Sequence, residues 1–350
     1  MKINLLTNVI AKVIISSAYF LIIAQPNYAQ NLDKSNRENY QNQIAEYTEI
    51  IDLYPRNAAA HYNRGNVYSQ MKNYEQAIAD YDNAIYIYLN YGDANISRRA
   101  TEYLPSSNEQ FVRFNPDLEQ VYFDRATTYY SLGNYDNAIA DYGTVIRLNL
   151  GNEQAYYNRG LASYNIKDYD KAIADYSQVI SLNPSNIRVY NSRAKAYKQI
   201  AQYDKAIADY SQVIKVGSKD LEAYQNRAEL YMYLEQYDKA IADYNQIISL
   251  NPDNLDNYYN RANVYRDLKQ YDKAIADYNR IISLNPNNAE AYYQRGLYYS
   301  YVENQDNAIA DFKIAADLYQ EADQLNEYQN VLGELTKLAP PPPAIELPSN

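Results

Sequence analysis

Apolar and aromatic side chains recur at helical spacing along most of this chain. Numbered from Leu255, the segment 255–288 carries them at positions 4, 8, 11 and 14, and again at positions 17, 20, 21, 24, 27 and 28. Steps of three and four residues place such side chains on one face of an α-helix. The polar pair Lys269-Gln270 separates the two sets, and Asn285-Pro286 ends the second, because a residue before proline avoids helical geometry. The segment therefore predicts two helices joined by a short turn.

This two-helix segment is repeated seven times between Ala58 and Ala322. Each copy carries the pentapeptide Ala-Ile-Ala-Asp-Tyr, or its Phe variant, and from the second copy onward the pentapeptides are 34 residues apart. The first gap is 61 residues, which is one period plus an insertion of 27. A fixed period of this length indicates an array of helix pairs that bury their apolar faces against their neighbours. The pentapeptides begin at Ala77, Ala138, Ala172, Ala206, Ala240, Ala274 and Ala308.

Several positions of the 34-residue repeat keep one kind of side chain. Position 20 is always alanine, position 8 is glycine or alanine, and position 4 is tyrosine in six copies. Small residues opposite large ones let two helices approach closely. Position 7 is always arginine and position 23 always aspartate, so we expect each arginine to bond an aspartate of its own repeat or the next. In the middle repeats the expected pairs are Arg159 with Asp175, Arg193 with Asp209, Arg227 with Asp243, and Arg261 with Asp277.

These repeats resemble the tetratricopeptide repeat family. The resemblance rests on the large residue at position 4, the small one at position 8, the tyrosine at 11, the alanine at 20, the aromatic at 24 and the proline at 32. The sequence Tyr-Tyr-Asn-Arg-Gly at 156–160 is typical of one variant, whereas His61, Ser163 and Gln305 depart from the pattern. The resemblance implies an all-α fold, a right-handed superhelical solenoid of antiparallel helix pairs, in a secreted or periplasmic bacterial protein.

The segments outside the repeats complete the predicted organisation. A lone helix from Ile44 to Tyr54 resembles the second half of a repeat, and apolar residues at helical spacing in 323–338 predict a helix that caps the last repeat. Four consecutive prolines predict an extended tail. The predicted parts are a signal segment (1–29), a half-repeat (30–57), the first repeat with its insertion at 92–118 (58–118), six contiguous repeats (119–322), the capping helix (323–338) and the proline-rich tail (339–350).

The N-terminus has the features of a secretory signal. Lys2 and Lys12 supply positive charge, and Val13 to Ala24 is an apolar run too short to span a bilayer comfortably. Ala29 is a candidate last residue before cleavage. We therefore expect an extracytoplasmic protein, periplasmic or secreted. The alternative is a protein anchored in the membrane by this segment.

Composition excludes several classes of site. The formal charge of −11 argues against a nucleic-acid partner. The chain has no cysteine and a single histidine, so cysteine-ligated metals, thiolate nucleophiles and multi-histidine metal sites are excluded. No nucleophile-elbow serine or phosphate-binding glycine loop is present. We expect no enzyme activity, no cofactor and no metal, and we interpret His61 as a packing residue.

In the resembled family, the first helices of successive repeats line a concave groove that holds peptides. Mapped onto this chain, positions 2, 5, 9, 12 and 13 face that groove. Chaperone-binding members of the family have a basic clamp for a C-terminal carboxylate. Asn158 and Arg188 fit that clamp, but Phe123 and Thr127 do not, so its activity is not carried over. The candidate groove residues are Tyr62, Phe123, Tyr130, Tyr157, Asn158, Tyr164, Arg188, Asn191, Lys195, Lys198, Tyr259 and Tyr293.

The fourth repeat differs from the others in charge. Arg188, Lys195 and Lys198 together with Asn191 predict a basic spot that suits an acidic segment of a partner. Further along, the same face turns acidic, or its charges are simply solvated. We therefore predict a non-catalytic scaffold or adaptor that binds peptide or protein segments. The alternative is a glycan-binding or accessory subunit of an envelope enzyme or assembly complex, in which the groove tyrosines stack on sugar rings.

Overall fold

A computed structural model describes residues 34–91, 118–217 and 219–338 of the chain. The predicted signal segment, the insertion apart from Leu118, and the proline-rich tail lie outside the described residues. The chain divides into two compact units, Met1–Lys167 and Asp168–Asn350, with the boundary between the two helices of the third repeat.

Unit 1 contains the half-repeat, the first two repeats and the first helix of the third. Its helices are α1 (Lys34–Leu53), α2 (Ala58–Gln70), α3 (Tyr74–Tyr91), α4 (Leu118–Ser131), α5 (Tyr135–Leu148) and α6 (Glu153–Asn165).

Unit 2 begins with the second helix of the third repeat and continues through four complete repeats to a final helix. Its helices are α7 (Tyr169–Leu182), α8 (Ile187–Gln199), α9 (Tyr203–Val216), α10 (Leu221–Tyr233), α11 (Tyr237–Leu250), α12 (Leu255–Asp267), α13 (Tyr271–Leu284), α14 (Ala289–Tyr301), α15 (Gln305–Glu321) and α16 (Leu325–Leu338).

The all-α prediction is confirmed for the described residues, which contain helices and turns and no strand. The helix of the half-repeat, α1, is longer than the apolar pattern predicted and starts at Lys34 rather than at Ile44. The part of the helix before Ile44 is mostly polar, and most of residues 36–43 are exposed, so periodicity could not reveal it. None of the helices in the described ranges combines the length and hydrophobicity that a membrane span requires.

In four repeats the residue before the first helix caps it in the same way. Asn57 accepts a hydrogen bond on its side chain from the backbone N–H of Ala60 at 3.0 Å, and Asp220 accepts one from Ala223 at 2.9 Å. Asn152 and Asn288 make the same bond to the third residue of α6 and of α14. Asparagine and aspartate are favoured there because their oxygens satisfy an N–H that has no partner within the helix. At 285–288 the sequence Asn-Pro-Asn-Asn therefore stops one helix and starts the next.

The turn inside each repeat contains a residue in the left-handed conformation, always at position 15. It has φ of 56° at Ala201 and 57° at Lys269, and only the second repeat places a glycine there, Gly133 with φ of 80°. The next residue donates its N–H to the tyrosine carbonyl at position 11 in α8 and α12, with Gln202 to Tyr197 at 2.9 Å. This hydrogen bond closes the end of the first helix and reverses the chain.

Small residues at position 8 face the aromatic ring at position 24, and not the large residue at position 4 that the sequence suggested. A Cβ atom added to Gly65 would lie 3.0 Å from Cε1 of Tyr81, and one added to Gly296 would lie 2.7 Å from Cε1 of Phe312. These rings are buried, and the position-20 alanines beside them are fully buried in both units. The cores of the two units are therefore built mainly from alanine against tyrosine or phenylalanine.

The final helix covers the last of these cores. Val331 of α16 is fully buried in a cluster with Phe312 and Tyr319 of α15, while most of the remaining surface of α16 is exposed. A terminal helix with one apolar stripe closes the hydrophobic end of a repeat stack.

The close contact at Gly296 leads to a testable prediction. Gly296→Ala should lower the unfolding temperature, because a methyl group forced against the buried ring of Phe312 costs about 1–3 kcal/mol. Gly333→Ala is the matched control on α16, where an added Cβ meets no atom within 4 Å. The control should raise stability by about 1 kcal/mol through helix propensity alone. Equal gains for the two variants in thermal unfolding would contradict this packing.

Candidate functional site

A bidentate bond joins the two helices of each complete repeat within a unit. In the fourth repeat, Arg193 donates from Nε and Nη2 to the two carboxylate oxygens of Asp209, each at 2.8 Å. Arg227 makes the same two bonds to Asp243 at 2.9 and 2.6 Å. The remaining pairs with this geometry are Arg64 with Asp80, Arg125 with Asp141, Arg261 with Asp277, and Arg295 with Asp311.

The third guanidinium nitrogen reaches back to the preceding repeat. Arg227 donates from Nη1 to the Ser211 hydroxyl at 2.8 Å, and Arg295 donates to the Asn279 side chain at 2.6 Å. In each case the acceptor occupies position 25 of the second helix before it. Arg64 finds the equivalent acceptor in Thr48 of α1 at 2.9 Å, so the half-repeat supplies the contact that a full repeat would.

Burial and aromatic rings surround these ion pairs. The aspartates of the six pairs are buried, with only 3% of Asp243 exposed. The guanidinium carbon of Arg227 lies 5.7 Å from the ring centroids of both Tyr224 and Tyr231, at positions 4 and 11 of its own helix. Hydrogen bonding to Asp243 raises the pKa of Arg227 above its usual value. The tyrosines that recur at positions 4 and 11 of the repeats therefore pack against the arginine as well as against the core.

Three of the four pairs predicted in the middle repeats have this geometry. They are Arg193 with Asp209, Arg227 with Asp243, and Arg261 with Asp277. The fourth, Arg159 with Asp175, joins residues on opposite sides of the boundary between the units and stays a prediction. His61 replaces a position-4 tyrosine and lies with Nε2 3.3 Å from the Pro55 carbonyl oxygen, a contact that Tyr258 makes to Pro252. This agrees with its interpretation as a packing residue.

We define the unit-1 face as the side chains at positions 2, 5, 9, 12 and 13 of α2, α4 and α6. Two of the predicted partner-binding residues on it are buried: Tyr62 is 3% exposed and Tyr157 is 6% exposed. The prediction that these two rings contact a partner is therefore wrong. Tyr62 turns toward the neighbouring first helix and donates its hydroxyl to Asp124 of α4 at 2.5 Å.

The other predicted residues of unit 1 remain partly accessible. Phe123, Tyr130, Asn158 and Tyr164 are all half-buried. The ring of Phe123 packs edge-on against Tyr142 with centroids 5.6 Å apart, and the Tyr130 hydroxyl accepts a hydrogen bond from Asn165 at 3.0 Å. Asn158, at position 6, accepts one from Gln154 at 2.9 Å. These side chains present rings, amides and hydroxyls, and no charge.

We define the unit-2 face as the side chains at the same five positions of α8, α10, α12 and α14. Its predicted basic spot is neutralised by the next repeat. Lys195 lies 2.7 Å from the Glu222 carboxylate, and Lys198 lies 2.9 Å from that of Glu229. Sequence spacing did not show that acidic residues at positions 2 and 9 of α10 lie beside these lysines. Binding of an acidic segment at this spot stays a prediction.

The remaining predicted residues of unit 2 have different environments. Arg188 is exposed, and Asn191 is half-buried with an Oδ1 atom that has no hydrogen-bond partner among the described residues. Tyr259 donates to Asn288 at 3.1 Å, and the ring of Tyr293 lies 5.9 Å from that of Phe312. Burial raises the pKa of the Tyr259 hydroxyl, with smaller contributions from nearby acidic residues.

Beyond α10, the unit-2 face is acidic and tyrosine-rich. Glu290 accepts hydrogen bonds from the Tyr319 hydroxyl and from Gln294, both at 2.7 Å, and no ion pair to it is present in the described ranges. The described residues contain no group of three or more acidic or histidine side chains placed to hold a metal ion. The side chains of the two faces therefore provide hydrogen-bonding groups, aromatic rings and charged groups.

Sequence reasoning missed two features of these helices. One is the acceptor at position 25, which is Thr, Asp, Ser or Asn wherever an arginine bond to it is described. The restricted polar choice at that position was the available signal. The other is Asp124, the single charged residue found at position 6 of any repeat.

Sequence models of the tetratricopeptide repeat match the chain at residues 58–91, 153–186, 221–254 and 256–288. Related models of the same repeat match 126–167, 187–216 and 277–311, so together they cover more than half of the chain. The chain belongs to the tetratricopeptide repeat family. The resemblance stated from the sequence is thereby confirmed, and this membership accounts for the helix pairs of both units. No curated protein sequence matches the chain.

Solved tetratricopeptide structures are similar to the chain. The C-terminal part of a tetratricopeptide repeat-containing protein from Cytophaga hutchinsonii has 18% identity and a TM-score of 0.55, over 73% of this chain and 95% of its own. MamA has 27% identity and a TM-score of 0.44, over 49% of this chain and 94% of its own. YrrB, described as a TPR protein with an unusual peptide-binding site, has 18% identity and a TM-score of 0.44, over 56% of this chain and 97% of its own.

The buried ion pair leads to a prediction about stability. Arg227→Ala should destabilise the region around α10 and α11 by about 3–5 kcal/mol, because it leaves the buried Asp243 carboxylate without its partner. Adding Asp243→Asn to that variant should recover part of the loss, since the uncompensated charge is removed. Thermal unfolding followed by circular dichroism, with amide hydrogen exchange of the two helices, measures the effect.

The matched control is Lys239→Ala, which removes an exposed cation from the same repeat. It should change stability by no more than about 0.5 kcal/mol. If Arg227→Ala behaved like this control, the guanidinium would have no structural role in the repeat.

Proposed function

We propose that this protein is a non-catalytic scaffold that binds segments of other proteins along the unit-1 face and the unit-2 face. Tetratricopeptide repeat proteins are typically non-catalytic, and repeat arrays use extended surfaces of this kind for binding.

One observation carries the proposal: the packing positions of the repeats are constant, whereas the faces vary. The arginine at position 7 and the aspartate at position 23 are invariant, but position 9 is lysine, glutamate, asparagine and leucine in α8, α10, α12 and α14. Variation at accessible positions on a constant frame is expected where surfaces recognise partners. The invariant packing residues therefore hold different side chains in fixed register on neighbouring helices.

A second candidate function, glycan binding, is supported by one group of tyrosines. On α13 and α14, the rings of Tyr271 and Tyr301 lie 5.0 Å apart, and Tyr271 stacks on Tyr298 with centroids 5.9 Å apart. Tyr301 is 59% exposed. An exposed ring beside polar groups can stack on a sugar, which is the chemistry that the glycan-binding alternative requires.

We further propose that the protein acts outside the cytoplasm. Support comes from the sequence of residues 1–29, with two lysines before a short apolar run and Ala29 as a candidate cleavage position. N-terminal sequencing of the protein recovered from its producing cells is expected to begin at Gln30. A recovered chain that still begins with its N-terminal segment and partitions with membranes would instead support the anchored alternative.

Peptide-array and glycan-array binding by the full chain tests the proposed function. The informative variant exchanges charges on the unit-2 face, with Lys195 and Lys198 changed to Glu and with Glu222 and Glu229 changed to Lys. Both ion pairs are preserved in reversed order, and exposed pairs contribute at most about 1 kcal/mol, so folding should be unaffected. Charged peptides that bind this face should lose on the order of tenfold in affinity.

The matched control reverses an exposed pair between α13 and the turn before α12, Arg280 and Asp253, whose charged atoms lie 3.4 Å apart. It should leave the binding profile unchanged. Saturable binding of glycans without any peptide, lost in Tyr301→Ala, would reject the scaffold proposal in favour of the second candidate. If both charge-exchange variants bound the same peptides as the unchanged chain with the same affinity, the unit-2 face would be excluded as a binding surface.

A further inference from the structure

Asp124 is an acidic side chain in the first-helix layer of unit 1 without a cationic partner in the described chain. It lies on α4 at position 6 and is half-buried. One carboxylate oxygen accepts the Tyr62 hydroxyl at 2.5 Å, and the other accepts Nε2 of Gln120 at 3.0 Å. All ion pairs found in the described part of unit 1 use other aspartates. The negative charge of Asp124 is therefore held by neutral donors.

The surroundings of this carboxylate make its charge costly. The titratable groups that face it are tyrosines, Tyr62 and Tyr81 on the side of the first repeat and Tyr142 on α5, all of them neutral at physiological pH. Burial raises the pKa of Asp124, and the hydrogen bonds from Tyr62 and Gln120 only partly oppose this. A buried carboxylate is normally paired with a cation, because removal of the charge from water is otherwise uncompensated.

The repeat frame does not require a charge at this position. The other six copies have an uncharged polar residue at position 6: Asn63, Asn158, Ser192, Asn226, Asn260 and Gln294. An asparagine at 124 could accept the hydroxyl of Tyr62 on its carbonyl oxygen and offer its amide to the carbonyl of Gln120. The acidic group is therefore an exception that packing and hydrogen bonding do not explain.

The unit-1 face around Asp124 is uncharged. None of its fifteen positions on α2, α4 and α6 is an aspartate, glutamate, lysine or arginine. Amides and hydroxyls such as Gln120, Thr127 and Tyr130 lie on the same helix as Asp124, and Phe123 precedes it. A ligand suited to this face has an uncharged body and a single positive group.

We propose that Asp124 binds a lysine or arginine side chain of a protein segment that lies along the unit-1 face. A carboxylate has about four acceptor positions, and the contacts described above use two of them, which leaves acceptor capacity for an ammonium or guanidinium group. A charge-assisted bond in such a half-buried place is stronger than one in water and is screened less by salt. The inference rests on the proposed scaffold function, and it specifies that a segment bound to the unit-1 face carries a lysine or arginine side chain.

Four pools of dodecapeptides test the proposal with the full chain. Each pool has one fixed central residue, Arg, Lys, Gln or Glu, and randomised uncharged residues on both sides. Fluorescence anisotropy should give tighter binding of the Arg and Lys pools than of the Gln and Glu pools. Asp124→Asn should remove this preference, with a loss on the order of tenfold for the cationic pools, as expected for one hydrogen bond to a charged group.

The matched control is Asp136→Asn, which removes an exposed charge from the first turn of α5 and therefore changes the net charge equally. It should keep the full preference for the cationic pools. If Asp136→Asn lost as much preference as Asp124→Asn, the effect would be one of overall charge, and the site would be rejected.

Thermal unfolding separates a binding role from a structural one. Because the folded-state pKa of Asp124 is raised, its charged form opposes folding above that pKa, and the penalty vanishes below the unfolded-state value of about 3.9. Asp124→Asn should therefore raise the unfolding temperature at pH 7 and leave it unchanged at a pH below about 3.9. A lower unfolding temperature at pH 7 would show that the charge supports the fold, and it would overturn the proposal.

The remaining outcomes distinguish this inference from the proposed function. Binding of all four pools with equal affinity would reject the role of Asp124 and leave the scaffold function supported. Binding of no pool, together with no binding on the peptide array, would overturn both. Binding of neutral oligosaccharides that Asp124→Asn abolishes would assign the unit-1 face to a saccharide and reject the cationic segment.

Discussion

The bond between the arginine at position 7 and the aspartate at position 23 is the contact on which the regularity of these repeats depends. It joins the two helices of one repeat, and the third guanidinium nitrogen reaches the second helix of the repeat before. One side chain therefore sets both the packing within a repeat and the stacking of one repeat on the next. A buried ion pair adds little net stability, because desolvation offsets its attraction, but a shift in register would leave a buried carboxylate without a partner. We interpret the pair mainly as a determinant of register.

The fixed register of the repeats explains why the most frequent residues of the chain carry the least information about binding. Many of the 44 tyrosines flank the arginines or fill the space beside small residues, and several are buried. With register fixed by buried contacts, the accessible positions of the first helices are free to differ. The unit-1 face is uncharged around a half-buried aspartate. The unit-2 face carries lysine–glutamate pairs and then acidic groups among tyrosines. One fold thus presents surfaces of different chemistry.

Charge on these surfaces is decided by neighbours that are distant in sequence. Lys195 and Glu222 are 27 residues apart, and each is exposed in its own helix, yet the packing of α8 beside α10 brings them to 2.7 Å. As a result, Lys195 and Lys198 are each paired with a glutamate of α10. Asp124 shows the opposite case, in which an acidic residue faces only tyrosines and amides. Local composition is therefore a poor guide to which charges remain available to a partner.

The sequence by itself determined the helix pairs, their period, the family, and the residues that alternate between small and large in the cores. These follow from periodicity and from the stereochemistry of proline and asparagine at helix ends, which act within a few residues. It also indicated the arginine–aspartate pairs, because both positions are invariant. The tertiary structure decided the left-handed turn at position 15, where lysine, alanine and glutamate give no sign of positive φ. It also decided the burial of Tyr62 and Tyr157, the neutralisation of Lys195 and Lys198, and the isolation of Asp124. Each of these depends on which side chain of the adjacent helix lies opposite, and helical spacing fixes the face of a residue but not its neighbour across the interface.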